Sequence, residues 1–320
     1  MVLNISSSTI LVMFVAFLMP VLLAYKSYFY GRGSYAFLNK SNIECIQGVC
    51  LILILFYQVI ERVSHPDLIL QFLQTLGTGA LAVYLFLVGV EFRNFSIQAN
   101  RLIKKRIFQR AIRLFLMFVS GNVLMGLVQV YLGEEVSLFE ILQHTIMGQF
   151  LDGSQASLIV TLFVFYLLMG FTQNIKILSL FGLLAGWPGI FVMVGMWVAR
   201  YQKVVFMILR KHLLNLSLIC GILLLLSISW NFLLPIASVL GIMVVLMKVQ
   251  FKSKVFKLVK QLSVPLYVLQ LPLLYLVFYS SEPKDSMFVL VTIGLNLMLI
   301  LIFRVMLLTE FKSYDKVKYN

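Results

Sequence analysis

NIECIQGVCLILILFYQVI, from Asn42 to Ile60, decides what kind of protein this is. It is an apolar run of membrane-crossing length, and its body carries polar side chains at only two depths, Gln47 near the start and Gln58 near the end. Eleven helical residues turn through about 1100°, roughly 20° past three full turns, so both glutamines lie on one helix face. Polar groups inside a span are costly and by default face a protein interior or a water-filled cavity. Their simplest use is to hydrogen-bond neighbouring helices; the other is to line a cavity where chemistry happens.

The rest of the chain fits a membrane setting. It is 61% hydrophobic and 12% charged, with mean hydropathy +0.99, whereas about a quarter of an ordinary globular sequence is charged. The expected class is an all-α polytopic membrane protein. Lys and Arg outnumber Asp and Glu by 26 to 12, which in a soluble domain would suggest nucleic acid. Here the cations sit in short loops between apolar runs, the signature of cytoplasmic loops. Cys45, Cys50 and Cys220 fall in or beside apolar runs and read as small packing residues, with neither a disulfide framework nor a metal site expected. Met1 to Thr9 has no positive charge, so a cleavable signal peptide is not expected.

Placing the basic loops inside gives a topology. The first span runs from Ile10 to Tyr25, with Pro20 kinking it, and Met1 lies outside. Lys26, Arg32 and Lys40 form an inner loop, and Asn42–Ile60 returns outward to Glu61, Arg62, His65 and Asp67. Leu76–Val90 comes in, Ala111–Leu132 goes out to an acidic loop with Glu134, Glu135, Glu140, His144 and Asp152, and Ser157–Phe171 comes back. Ile175–Ala199 would then leave Arg200, Lys203, Arg210 and Lys211 on the wrong side. Ala185-Gly186-Trp187-Pro188-Gly189 resolves this by breaking the run into Ile175–Leu184 and Pro188–Ala199, as two short passes or a re-entrant hairpin. Leu213–Trp230, Leu233–Met247, Leu262–Tyr279 and Met287–Leu308 complete about ten to eleven transmembrane helices. The C-terminus is thereby cytoplasmic, and the expected location is the plasma membrane.

The densest charge run lies between Arg93 and Arg113. Arg106, Arg110 and Arg113 are spaced i, i+4, i+7 on one helix face. Such a face anchors the chain by the positive-inside rule, touches anionic lipid, or docks a phosphate-bearing donor through fork-shaped guanidinium contacts.

The order of motifs resembles the integral-membrane acyltransferase-3 family, which O-acylates bacterial cell-surface glycans. The likeness covers Ile43 to Leu308: Glu44, Gln47, Gly48 and Gln58 in the first motif, Tyr84–Gly89 in the second, and Lys104–Leu114 as the Arg-rich segment. Phe191–Gly195 through Arg200, then Ser263, Tyr267, Gln270 and Pro272, follow in the same order. On this resemblance residues 1–40 are an extra N-terminal helix and basic loop, 41–309 the acyltransferase-3-like domain, and 310–320 a basic tail. It implies transfer of an acyl group, acetyl by expectation, from acyl-CoA to a cell-surface polysaccharide or lipid-linked saccharide, alone or within a biosynthetic complex. It implies no bound cofactor or metal. Arg106, Arg110 and Arg113 would hold the donor, while Glu44, Gln47 and Tyr267 would line the cavity with Gln58 and Gln270.

The departures are chemical. Glutamine stands where the family carries histidine, at Gln58 and Gln270, and where it carries a basic residue, at Gln47. A carboxamide orients a hydroxyl or carbonyl but cannot take its proton, and a positioned base contributes roughly 10²–10⁴-fold. His65, His144 and Glu61, on the expected outer side, are candidate replacements; Glu91 lies at the inner end of its span and could help position Arg93 or the basic cluster. The alternative is a non-catalytic relative that keeps a hydrogen-bonding cavity and aids glycan export or assembly.

Overall fold

The computed structural model describes residues 14–30, 37–61, 63, 67–97, 101–133, 137, 140, 153–172, 174–227, 230, 232–261, 272, 294 and 298. The described chain is almost entirely helical: α1 (Met19–Ala24, after a π-helical turn Phe14–Leu18), α2 (Lys40–Ile60), α3 (Leu68–Ile97), α4 (Arg101–Tyr131), α5 (Gly153–Phe171), α6 (Ile175–Leu184), α7 (Gly186–Arg200), α8 (Gln202–Lys211), α9 (Leu213–Leu226), α10 (Leu233–Lys248) and α11 (Lys254–Gln261). Two short strands, β1 (Tyr28–Phe29) and β2 (Val249–Gln250), pair antiparallel.

Three helices have the length and apolarity to cross a bilayer, over Lys40–Ile60, Leu68–Asn94 and Ile107–Tyr131. A bent pair, α7 with α8, makes a fourth candidate. The count of ten to eleven is not reached among the described residues; the two last expected spans lie outside them. Leu214, Leu218, Ile222 and Leu225 of α9 are all exposed. So are Ile112, Phe115, Leu116 and Leu127 of α4. A water-soluble monomer does not present apolar faces of this extent.

Local chemistry sets the ends. Asn39 caps α2 by accepting the Asn42 N–H at 2.8 Å, and the uninterrupted apolar run carries the helix to Ile60. Asp67 caps α3 by accepting the Leu70 N–H at 2.8 Å, so this helix starts eight residues before the expected Leu76. Pro20 sits at the start of α1, directly after the wide π turn Phe14–Leu18.

α3 is the hub, packed by α2, α7 and α10. Its crossing with α7 is backbone-close: a Cβ on Gly89 would land on the Val192 carbonyl, and one on Gly195 on the Phe86 carbonyl. Small residues of this kind let membrane helices approach when no hydrophobic force separates them from lipid. The tract around Ala185 does break the chain. Gly186 turns it with φ of +73°, a conformation glycine adopts at no steric cost, and α6 folds back along α7 with Gly182 and Gly189 face to face. Trp197 Nε1 donates to Ser179 Oγ at 2.8 Å across this hairpin. At ten residues α6 is about 15 Å long, half the hydrocarbon thickness, so the re-entrant alternative fits it better than a full pass.

The segments flanking α2 and α10 meet at one end. Tyr28 pairs with Gln250 and Phe29 with Val249, and Tyr30 N–H donates to the Lys248 carbonyl at 2.7 Å. Asn42, wholly buried, seals the junction by donating Nδ2 to the Phe37 and Val249 carbonyls (2.9 and 3.3 Å) and accepting the Phe251 N–H at 2.7 Å. Replacing Asn42 by leucine orphans that buried N–H along with two carbonyls. A loss of about 2–4 kcal/mol is expected, read as an earlier thermal unfolding transition of the detergent-solubilised protein.

Candidate functional site

The two polar depths of α2 are realised as buried positions. Gln47 is completely buried, and neither atom of its carboxamide has a hydrogen-bond partner among the described residues. Gln58 is buried too, and its Oε1 is likewise unpartnered among them. They stand about 16 Å apart along one helix face. Burying an amide without a partner costs about 1–3 kcal/mol, which a hydroxyl or carbonyl guest would offset. As packing glue these glutamines would need partners on adjacent helices, and the described helices supply none for these three atoms. Asn122, wholly buried on α4, uses Nδ2 on its own Phe118 carbonyl at 2.8 Å, and its Oδ1 is also unpartnered among the described residues.

Glu44 engages Lys40 at 3.8 Å, a loose i,i+4 pair at the basic end of α2. Glu61, at the other end, is exposed and accepts the Tyr57 hydroxyl at 3.4 Å. His65, His144, Tyr267 and Gln270 lie outside the described residues, as do the side chains of Arg106 and Arg113.

A second constellation gathers where α3, α4, α5, α7 and α11 converge. Lys260 Nζ meets Glu91 Oε1 at 2.6 Å, with both side chains less than a fifth exposed. Tyr166 of α5 stands in the field of Glu91 and hydrogen-bonds Arg110. Its ring packs edge-on against Phe92, centroids 4.7 Å apart. Arg93 and Arg200 lie close enough for mutual repulsion. Lys260 thus meets Glu91 directly and Arg110 shares Tyr166 with it, while Arg93 and Arg200 neighbour each other. This is an electropositive, partly desolvated setting, and guanidinium forks there suit phosphate or another planar anion. Glu91 pairs with Lys260.

Of the three arginines expected to hold a donor, the structure brings Arg110 into this cluster. Sequence reasoning missed Lys260 and Tyr166. The signal for Lys260 was the i,i+3 pair Phe256 and Val259, which marks an amphipathic helix whose buried side faces α2. Tyr166 is a lone phenol in an otherwise apolar helix, LIVTLFVFYLLMGF.

Two of the quoted sequence motifs also touch: Gly89 closes Tyr84–Gly89, Gly195 closes Phe191–Gly195, and these are the residues of the close α3–α7 crossing. No protein-family model, curated protein or solved structure matches the chain.

Proposed function

We propose that this protein is a membrane O-acyltransferase-like protein of the plasma membrane, resembling the acyltransferase-3 family. It moves an acyl group, acetyl by preference, from acyl-CoA at the basic side to a cell-surface polysaccharide. Its chain makes about ten to eleven crossings, with the N-terminus outside and the C-terminus in the cytoplasm. The observation that carries this reading is the pair of buried carboxamides on one face of α2, three of whose polar atoms have no partner among the described residues. Arg110, with its helix-mates Arg106 and Arg113, holds the donor's phosphates. Gln47, Gln58, Gln270 and Tyr267 line the path, where carboxamides orient the thioester carbonyl and the sugar hydroxyl. His65 or His144 supplies the base that Gln58 cannot.

One observation favours the second reading, a non-catalytic relative that aids glycan export. The titratable group one helical turn beyond Gln58 is Glu61, and it is exposed and held by Tyr57. Glycan O-acetylation in cells carrying the intact protein, a deletion, or Gln58→His separates the two. Acyl transfer requires acetylation to fall on deletion, with Gln58→His raising it by up to the roughly 10²–10⁴-fold a positioned base supplies. Unchanged acetylation with less surface glycan would leave the export reading standing.

A further inference from the structure

We propose that α8 lies in the plane of the membrane surface and that Lys203 and Arg210 hold the phosphate of an anionic phospholipid. The inference is independent of acyl transfer. α8 leaves α7 at Tyr201 through a bend of 90°, so it cannot continue the path of α7 through the bilayer. Its residues divide, at 100° per residue, into a buried face and an exposed one. Phe206 and Leu209 are buried against the bundle, and Phe206 packs near Phe37 with centroids 6.3 Å apart. On the other face Val204, Met207 and Ile208 are 48–55% exposed. In water those side chains would be a penalty; at an interface they sink between acyl chains. Lys203 and Arg210, seven residues apart and so two turns along one line, edge that face beside Met207, and Lys211 lies within it.

The elbow itself carries interfacial chemistry. Trp197 and Tyr201 stack with centroids 5.5 Å apart and planes 19° from parallel. The Arg200 guanidinium lies over both rings, at 6.0 and 5.6 Å. Trp and Tyr are the side chains that settle at headgroup depth. The chemistry selects an anion: Lys203, Arg210 and Lys211 follow Arg200 in sequence, no Asp or Glu occurs from Gly153 to Ser281, and none of these three cations has an acidic partner among the described residues. Each basic residue near an anionic membrane surface strengthens attraction to it roughly five-fold.

The test uses the full chain in phosphatidylcholine vesicles, with Trp187→Phe and Trp230→Phe leaving Trp197 as the one tryptophan. A fixed minor fraction of lipid is brominated phosphatidylglycerol in one preparation and brominated phosphatidylcholine in the other. At low salt the glycerol lipid is expected to quench Trp197 several-fold more strongly. K203Q/R210Q is expected to bring the two lipids to equal quenching. Should that variant fail to fold, raising the salt on the unsubstituted elbow serves instead, since screening is expected to remove the preference. Equal quenching at low salt, or a preference that survives K203Q/R210Q or molar salt, would overturn the proposal.

Discussion

Gly89→Leu is expected to yield no stably folded protein. The glycine Cα faces the Val192 carbonyl of α7 so closely that even a methyl group would land on it, and the obstacle is backbone, which has no rotamer to yield. Alanine there already forces the helices apart, at about 1–3 kcal/mol; leucine requires the α3–α7 crossing to open altogether. That crossing joins two of the three hydrophobic clusters, because α3 and α7 contribute to both. Gly195→Leu should behave the same way, its reach being to the Phe86 carbonyl. Gly221→Ala in α9, where a Cβ meets nothing within 4 Å, supplies the contrast and should be neutral or slightly stabilising. Yield and thermal midpoint of the purified variants decide it. A Gly89→Leu protein as stable as the Gly221→Ala protein would refute the crossing.

Lys260→Ala carries the second large effect. It strips the cation from Glu91, whose carboxylate is mostly buried, and breaking such a pair by removing one partner costs about 3–5 kcal/mol. Glu91→Gln should cost less, since a neutral amide can still accept from Lys260 and no lone anion remains. The informative variant removes both charges. If the loss in Lys260→Ala reflects an orphaned carboxylate, Glu91→Gln in the same chain recovers much of the stability. If the double variant is no better than Lys260→Ala alone, the lysine acts through packing of α11 on α2. Donor affinity should also change in the single variant, because Arg110, which shares Tyr166 with Glu91, would then lie near an unpaired anion.

The elements easiest to foresee were those whose physics is local. The apolar run from Asn42 fixed α2 to within two residues, and Pro188 with its flanking glycines marked a break that the structure places at Ala185. Charge placement put Lys26 and Lys40 in one inner loop, and β1–β2 holds the segment after Lys26 against the one after Lys248. What escaped was amphipathic and short. QKVVFMILRK read as a basic inner stretch because six consecutive apolar residues hide the helical period, and only the bend at Tyr201 shows one buried face and one exposed face. Asp67 read as a loop acid because capping is indistinguishable from exposure until the following helix is seen. The candidate site was half legible: Gln47, Gln58 and Arg110 stand out as polar groups in apolar surroundings, whereas Lys260 and Tyr166 join through contacts between distant helices.

The clasp at the basic end also dictates an order of events during synthesis. Asn42 cannot accept its N–H from Phe251, nor Tyr30 donate to Gln250, until more than 200 further residues have left the ribosome. At 5–20 residues per second that delay is roughly 10–40 s. Through that interval the first two helices sit with their closing partners unmade, and their placement rests on flanking charge and apolarity alone. This late contact joins the beginning of the chain to its distant basic loop, and it acts as a lock on an arrangement already chosen.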